Sequence, residues 1–277
     1  MKHIEYGWRA EDGINIHARR WEPDSGPKGV VCLVHGFGEH SGRYHHVASY
    51  LTGAGYAVAS FDHRGHGKSG GQRGHTTSYQ AIMEDIDLLL DDAGHRYPGL
   101  PCFIYGHSMG GNLALNYTLR RKPPLLGVIA TSPWLRLSAS PPAALLAAAR
   151  VLNKLAPSYP LPNSLDAKGL SHDPEVVRAY DSDPLVNRKI TTRLFFSIHD
   201  AGLWALDHAS EFHLPLLLMH GGTDPITSPE ASSQFAGRIP GRCTLKIWEG
   251  LYHELHNEPQ KGEIIGFIVN WLDGHLG

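Results

Sequence analysis

Short apolar runs recur along the chain, and most of them end in a glycine or a polar loop. Gly29 to Val34 (GVVCLV), Tyr56 to Phe61 (YAVASF), Cys102 to Tyr105 (CFIY), Leu126 to Ala130 (LGVIA), Leu214 to Met219 (LPLLLM) and Thr244 to Trp248 (TLKIW) predict strands. Continuous runs of this kind suit a parallel sheet covered on both faces, where the usual in-out alternation is lost. Nearer the N-terminus Ile14, Ile16 and Ala18 alternate with Asn15, His17 and Arg19, a strand with one wet face, and a turn follows at Pro23–Pro27. Between the runs, Arg43 to Ala54, Thr77 to His95 and Asn112 to Arg121 predict helices, and Ile264 to Leu272 predicts a closing one. Thr77 to His95 shows the period most plainly, with Tyr79, Ile82, Ile86, Leu89 and Leu90 on one side and acids on the others. Strand and helix in alternation predict an α/β fold with a doubly wound, mostly parallel sheet.

The alternation stops at Ser132 and resumes only after Glu211. Pro141 to Leu155 (PPAALLAAARVLNKL) is apolar around most of its circumference, which predicts burial on two sides. Asp173 to Tyr180 and Ala201 to Phe212 read as further helices, with no convincing strand among them. About eighty residues are too many for an ordinary connection. The expected organisation is a core of residues 1–132 and 213–277, with residues 133–212 inserted after the sixth strand as a helical cap. Leu145 and Leu152 offer more apolar surface than docking one helix needs, so they are expected to line a site for a greasy substrate.

The candidate chemistry sits at strand ends. Gly106-His107-Ser108-Met109-Gly110 is a G-x-S-x-G match with a strand before it and a helix after it, the context in which that motif marks a nucleophile. Ser108 at such a turn projects its hydroxyl outward, and Gly106, Gly110 and Gly111 keep the space around it open. The helix start directs free N–H groups at developing negative charge. The loop His35-Gly36-Phe37-Gly38-Glu39-His40 follows the Gly29–Val34 strand, at the sheet edge where ligands bind. The backbone N–H near Phe37 is the expected donor for one half of an oxyanion hole. Asp224 and His253 each lie just past a later strand, so Ser108, Asp224 and His253 follow the chain order of an α/β-hydrolase triad. Asp200 and Asp207 are rival acids, but neither follows a strand end. His256 is the rival base, three residues deeper into the chain. Histidine suits the base because its neutral form takes a proton near pH 7 and can return it.

Charge and composition narrow the class. A formal net charge of −2, with no basic run beyond Arg19-Arg20 or Arg120-Arg121-Lys122, argues against a nucleic-acid partner. Three cysteines, widely spaced, give no disulfide framework and suit a reducing compartment. The first residues lack the apolar centre of a secretory signal and no run reaches the ~20 residues of a membrane span, so the expected location is the cytoplasm. The nineteen histidines are scattered without metal-ligand spacing, so no metal site and no cofactor are expected. Asp62 to Gly70 (DHRGHGKSG) carries Gly, Lys and Ser too close together for a phosphate-binding loop.

HGFGEHSGRY (His35–Tyr44), FDHRGHGKSGG (Phe61–Gly71), GHSMGG (Gly106–Gly111), YDSDPL (Tyr180–Leu185) and YHELHNE (Tyr252–Glu258) together resemble the monoacylglycerol lipase group of α/β-hydrolases, also labelled lysophospholipase-like or serine-aminopeptidase-like. The likeness spans nearly the whole chain, the insertion included. It implies Ser108 as nucleophile, His253 as base, Asp224 as acid, the backbone N–H groups of Phe37 and Met109 as the oxyanion hole, and an acyl tunnel under the cap. It implies cleavage of a monoacylglycerol to fatty acid and glycerol; separately, the apolar surface of the cap predicts its transient contact with a lipid surface. Where animal members carry a cysteine three residues after the acid, this chain has Thr227. A carboxylesterase or lysophospholipase would share the same triad; a non-enzymatic binding protein of this fold would have lost a triad member, and none is lost.

Overall fold

The computed structural model describes residues 1–163 and 165–276. Two antiparallel strands open the chain, β1 (Lys2–Arg9) and β2 (Asn15–Glu22), in register from Lys2 opposite Glu22 to Arg9 opposite Asn15. The regular alternation follows: β3 (Gly29–Val34), α1 (His45–Gly53), β4 (Tyr56–Phe61), α2 (Tyr79–Arg96), β5 (Cys102–His107), α3 (Met109–Arg121) and β6 (Gly127–Thr131). Then come α4 (Ala143–Leu155), β7 (Pro160–Pro162), α5 (Pro174–Ser182), β8 (Lys189–Thr191) and α6 (Thr192–Asp207). The chain closes with β9 (Leu216–Gly221), α7 (Pro229–Gly237), β10 (Cys243–Trp248) and α8 (Lys261–Asp273).

Eight strands form one sheet in the order β1-β2-β4-β3-β5-β6-β9-β10. Only the pairings of β2 are antiparallel; the rest of this sheet is parallel. This is the α/β-hydrolase fold. The central strand shows why its sequence reads as an unbroken apolar run. Val30, Cys32 and Val34 pack with α2 and α3 on one face, while Val31 and Leu33 pack with α1 and α8 on the other. Side chains alternate across a strand, so a strand covered on both faces must be apolar at every position. The parallel arrangement then brings the loops after β3, β5, β6, β9 and β10 to one edge, where ligands bind in such sheets.

Three features of the inserted stretch differ from expectation. α4 buries none of its residues, with Leu145 60% and Leu155 79% exposed. An all-round apolar helix predicts two covering partners, but α4 has essentially one: it meets α6, where Arg150 makes paired hydrogen bonds to Asp200 and lies over the Phe196 ring. α6 begins at Thr192 rather than near Ala201, capped by the Thr191 hydroxyl, which accepts from the Leu194 amide. Its β-branched and aromatic first turns are weak helix formers, and packing of Leu194, Ile198, Ala205 and Leu206 outweighs that local preference. The stretch is also not wholly helical, because β7 and β8 pair antiparallel across Leu161 and Ile190. No helix among the described residues is long and apolar enough to cross a membrane.

Candidate active site

Ser108 occupies the turn between β5 and α3 with φ 54° and ψ −116°, outside the regions open to most side-chain-bearing residues. Three hydrogen bonds hold that conformation. Its amide donates to Thr131 O at 2.9 Å, and its carbonyl accepts from the amides of Asn112 and Trp134, each at 3.0 Å. A side chain at Gly110 would collide with the Val34 carbonyl of the neighbouring strand, so the tight turn depends on glycine there. Four helices start with a side chain over their first amides, as Ser78 caps α2 and Asp173 caps α5. α3 starts without one, so its first donors stay open beside Ser108.

The loop after β3 passes directly against the serine. A Cβ on Gly36 would stand 3.2 Å from the Ser108 Cβ and 2.8 Å from Glu39 Oε1. Glu39 pins this loop by accepting from the Gly36 amide and the Tyr44 hydroxyl, each at 2.6 Å, and from Arg43 at 2.8 Å. Arg43 in turn forks onto Glu254 at 2.6 and 2.8 Å. Among the described residues neither the Phe37 nor the Met109 amide has an acceptor within the protein.

Asp224 and His253 meet at the same edge, and His253 lines one cavity of about 380 Å³ together with Ser108, Gly36 and Phe37. His253 Nδ1 lies 2.7 Å from Asp224 Oδ2. That oxygen also meets His220 Nε2 at 3.1 Å and the Thr227 hydroxyl at 3.0 Å, while Oδ1 accepts from the amides of Ile226 and Thr227 at 2.8 and 3.1 Å. Burial alone would raise the Asp224 pKa, but the charge of His253 and hydrogen bonds from His220 and His253 hold it well below the usual carboxylate range. With Nδ1 committed to the carboxylate, the lone pair of the His253 ring is at Nε2. Among the described contacts no hydrogen bond yet joins that ring to the Ser108 hydroxyl; such bonds are commonly loose before substrate binds.

The rivals are placed elsewhere. Asp200 is paired with Arg150, and Asp207 is exposed. His256 is fully buried and stacked on Tyr44, and burial pushes its pKa down to about 3. Leu145 and Leu152 are not brought to the cavity, contrary to expectation. Its apolar wall is made instead by Trp134, Leu137, Leu165, Ile190, Phe195 and Ile226. His220, a second imidazole on Asp224, was missed in the sequence, although its place at the end of an apolar run, four residues before the acid, is a signal. No group of histidines, cysteines and acids among the described residues is arranged to hold a metal ion.

Burial lowers the His253 pKa, but the charge and hydrogen bond of Asp224, followed by the charges of Glu254 and Glu39, more than reverse this and raise it above the ordinary 6.5. A base must be neutral to act, so kcat/KM is expected to fall about tenfold per pH unit below an apparent pKa that lies above 6.5. Glu254→Gln removes one raising charge, so it should move this acid limb to lower pH. A limb that stays at the same pH in that variant would show that Glu254 does not act on the histidine.

The sheet, the strained serine turn and the acid–histidine pair at its edge define a serine hydrolase of the lipase and esterase kind with the α/β-hydrolase fold. The chain belongs to the family described as serine aminopeptidase, S33, whose model matches residues 25–260. It is 37% identical to a monoacylglycerol lipase of Mycolicibacterium smegmatis over 98% of both chains. An uncharacterized abhydrolase domain-containing protein of Dictyostelium discoideum is 40% identical over 94% of this chain, which spans only 28% of that longer relative. The crystal structure of Paleococcus ferrophilus monoacylglycerol lipase superposes with a TM-score of 0.86 at 38% identity, covering 94% of this chain and 99% of that one.

Proposed function

We propose that this chain hydrolyses monoacylglycerols to fatty acid and glycerol, with Ser108 as nucleophile, His253 as base and Asp224 as its orienting acid. His253 Nε2 takes the serine proton as Ser108 Oγ attacks the ester carbonyl, and the imidazolium is stabilised by Asp224. The amides of Phe37 and Met109 receive the oxyanion. The proton passes to the departing glycerol, and water, activated by the same histidine, releases the fatty acid from the acyl-enzyme. Residues 133–212 act as a cap over a core of residues 1–132 and 213–277, a reading supported by the share of the cavity wall that they supply.

The observation that carries the head group is the charge of the cavity. Glu39, Glu254 and Asp166 line it, and among the described residues no lysine or arginine does. Arg43 neutralises one of the two glutamates behind it, which leaves the wall negative beside Ser108. A neutral glycerol fits such a wall, whereas a phosphate pays repulsion: at ~10 Å and an effective dielectric of ~20, one charge pair amounts to about 1.7 kcal/mol. The exposed apolar face of α4, with Leu145, Val151 and Leu155, supports contact of the cap with a lipid surface.

One experiment tests both points. With the acyl chain held constant, kcat/KM for a monoacylglycerol is expected to exceed that for a lysophosphatidic acid by about tenfold or more. Leu155→Asp should slow turnover of substrate presented in vesicles and leave a monomeric short-chain ester unaffected. Equal rates on the two head groups would overturn the neutral-lipid reading; equal rates in vesicles for both proteins would overturn the surface contact.

A further inference from the structure

Glu258 is a fully buried carboxylate five residues past His253, and it has no part in the chemistry above. Its Oε1 accepts from the Tyr252 amide at 2.7 Å and lies 3.0 Å from His172 Nδ1. Its Oε2 accepts from the His172 amide at 3.0 Å and lies 3.3 Å from the Ser171 hydroxyl. Tyr252 immediately precedes His253, and its ring stacks on His172 with centroids 3.7 Å apart. Beside this contact the two backbones run together. The His253 amide donates to Gly169 O at 3.3 Å and the Glu254 amide to Leu170 O at 2.7 Å. The loop that carries His253 is therefore held from the inserted stretch, and Glu258 is the clasp between them.

A buried carboxylate is costly unless its lone pairs are filled, and an apolar side chain would close a loop at no such cost. A charged acceptor that binds two main-chain amides fixes their direction as well as their distance. We propose that Glu258 is a positioning residue. By tying Tyr252 to the corner at Ser171 and His172, it sets the place and tilt of the His253 ring. This rests on the reading of His253 as the base.

Glu258→Gln keeps the volume and one acceptor but can turn a donor toward the His172 amide, which is itself a donor. The measurement is kcat per active site, titrated with a fluorophosphonate, together with the pH profile. The expected result is a loss of about ten- to a hundredfold in kcat with little change in KM, the effect of a ring displaced by about 1 Å. The acid limb should shift to lower pH, because a ring drawn away from Asp224 loses what raises its pKa. His172→Phe keeps the stack on Tyr252 and removes one donor from the clasp, and its side chain is 41% exposed, so it should fold. It should lose kcat in the same direction by a few-fold. An unchanged per-site kcat and acid limb in Glu258→Gln would overturn the proposal, and if that variant does not fold, the same result in His172→Phe would do so. Ser108→Ala is measured alongside. Hydrolysis that survives in it would sink the reading of the site itself, whatever the Glu258 variants show.

Discussion

Ser108→Ala is expected to lower kcat by about a millionfold, because no other group can take the place of the attacking oxygen. The fold should hold. Alanine keeps the Cβ, and the three main-chain hydrogen bonds that fix the φ of 54° do not involve the hydroxyl. What is lost is the nucleophile alone, so substrate binding should survive while acylation stops. Purified variant protein, checked for an unchanged melting temperature, should bind a fluorophosphonate no longer. Labelling at full stoichiometry, or turnover within about a hundredfold of the parent, would remove Ser108 from the mechanism.

Asp224→Asn should cost about ten-thousandfold in kcat, and the reason lies in proton placement. Every group around the carboxylate is a donor to it. His220 Nε2 also lies 3.0 Å from the Thr227 carbonyl, so that nitrogen must carry a proton. The amides of Ile226 and Thr227 hold Oδ1. An asparagine that keeps its oxygen toward those two amides must turn its NH2 toward His253 Nδ1. The imidazole then keeps its proton on Nε2 and cannot receive the one from Ser108. The conflict with His220 and Thr227 should also lower the melting temperature, so activity is compared well below it. Near-parental turnover in a folded variant would show that another acid supports the histidine.

The core of the fold was legible because its strands are buried on both faces, and such strands advertise themselves as unbroken apolar runs. β3, β4 and β6 match their predicted positions to within a residue. β1 was less plain, since as an edge strand it has positions half exposed on one face and no run to show. α7 was passed over, although Ser228-Pro229 marks its start, because its short polar sequence carries little periodicity. The inserted stretch was legible as an insertion and not in its internal form. α4 illustrates the reason: composition reports that a surface is apolar, while only the neighbours decide whether it is covered.

The sequence by itself determined the sheet, the elbow at Ser108 and the candidate partners Asp224 and His253, since strand ends and glycine turns are local chemistry. Only the tertiary structure decided which groups meet. The network from Glu39 through Arg43 to Glu254 joins residues more than two hundred positions apart, and the clasp from Glu258 to Ser171 and His172 spans more than eighty. Glu39, Arg43, Glu254 and Glu258 fall within HGFGEHSGRY and YHELHNE, but nothing local to those stretches says which of them pair or with what. The cavity wall likewise gathers Trp134, Ile190 and Ile226 from separate elements, and leaves Leu145 and Leu152 outside. Such contacts arise from how helices and loops pack over the sheet edge, and each depends on the direction of a side chain that one-dimensional order does not carry.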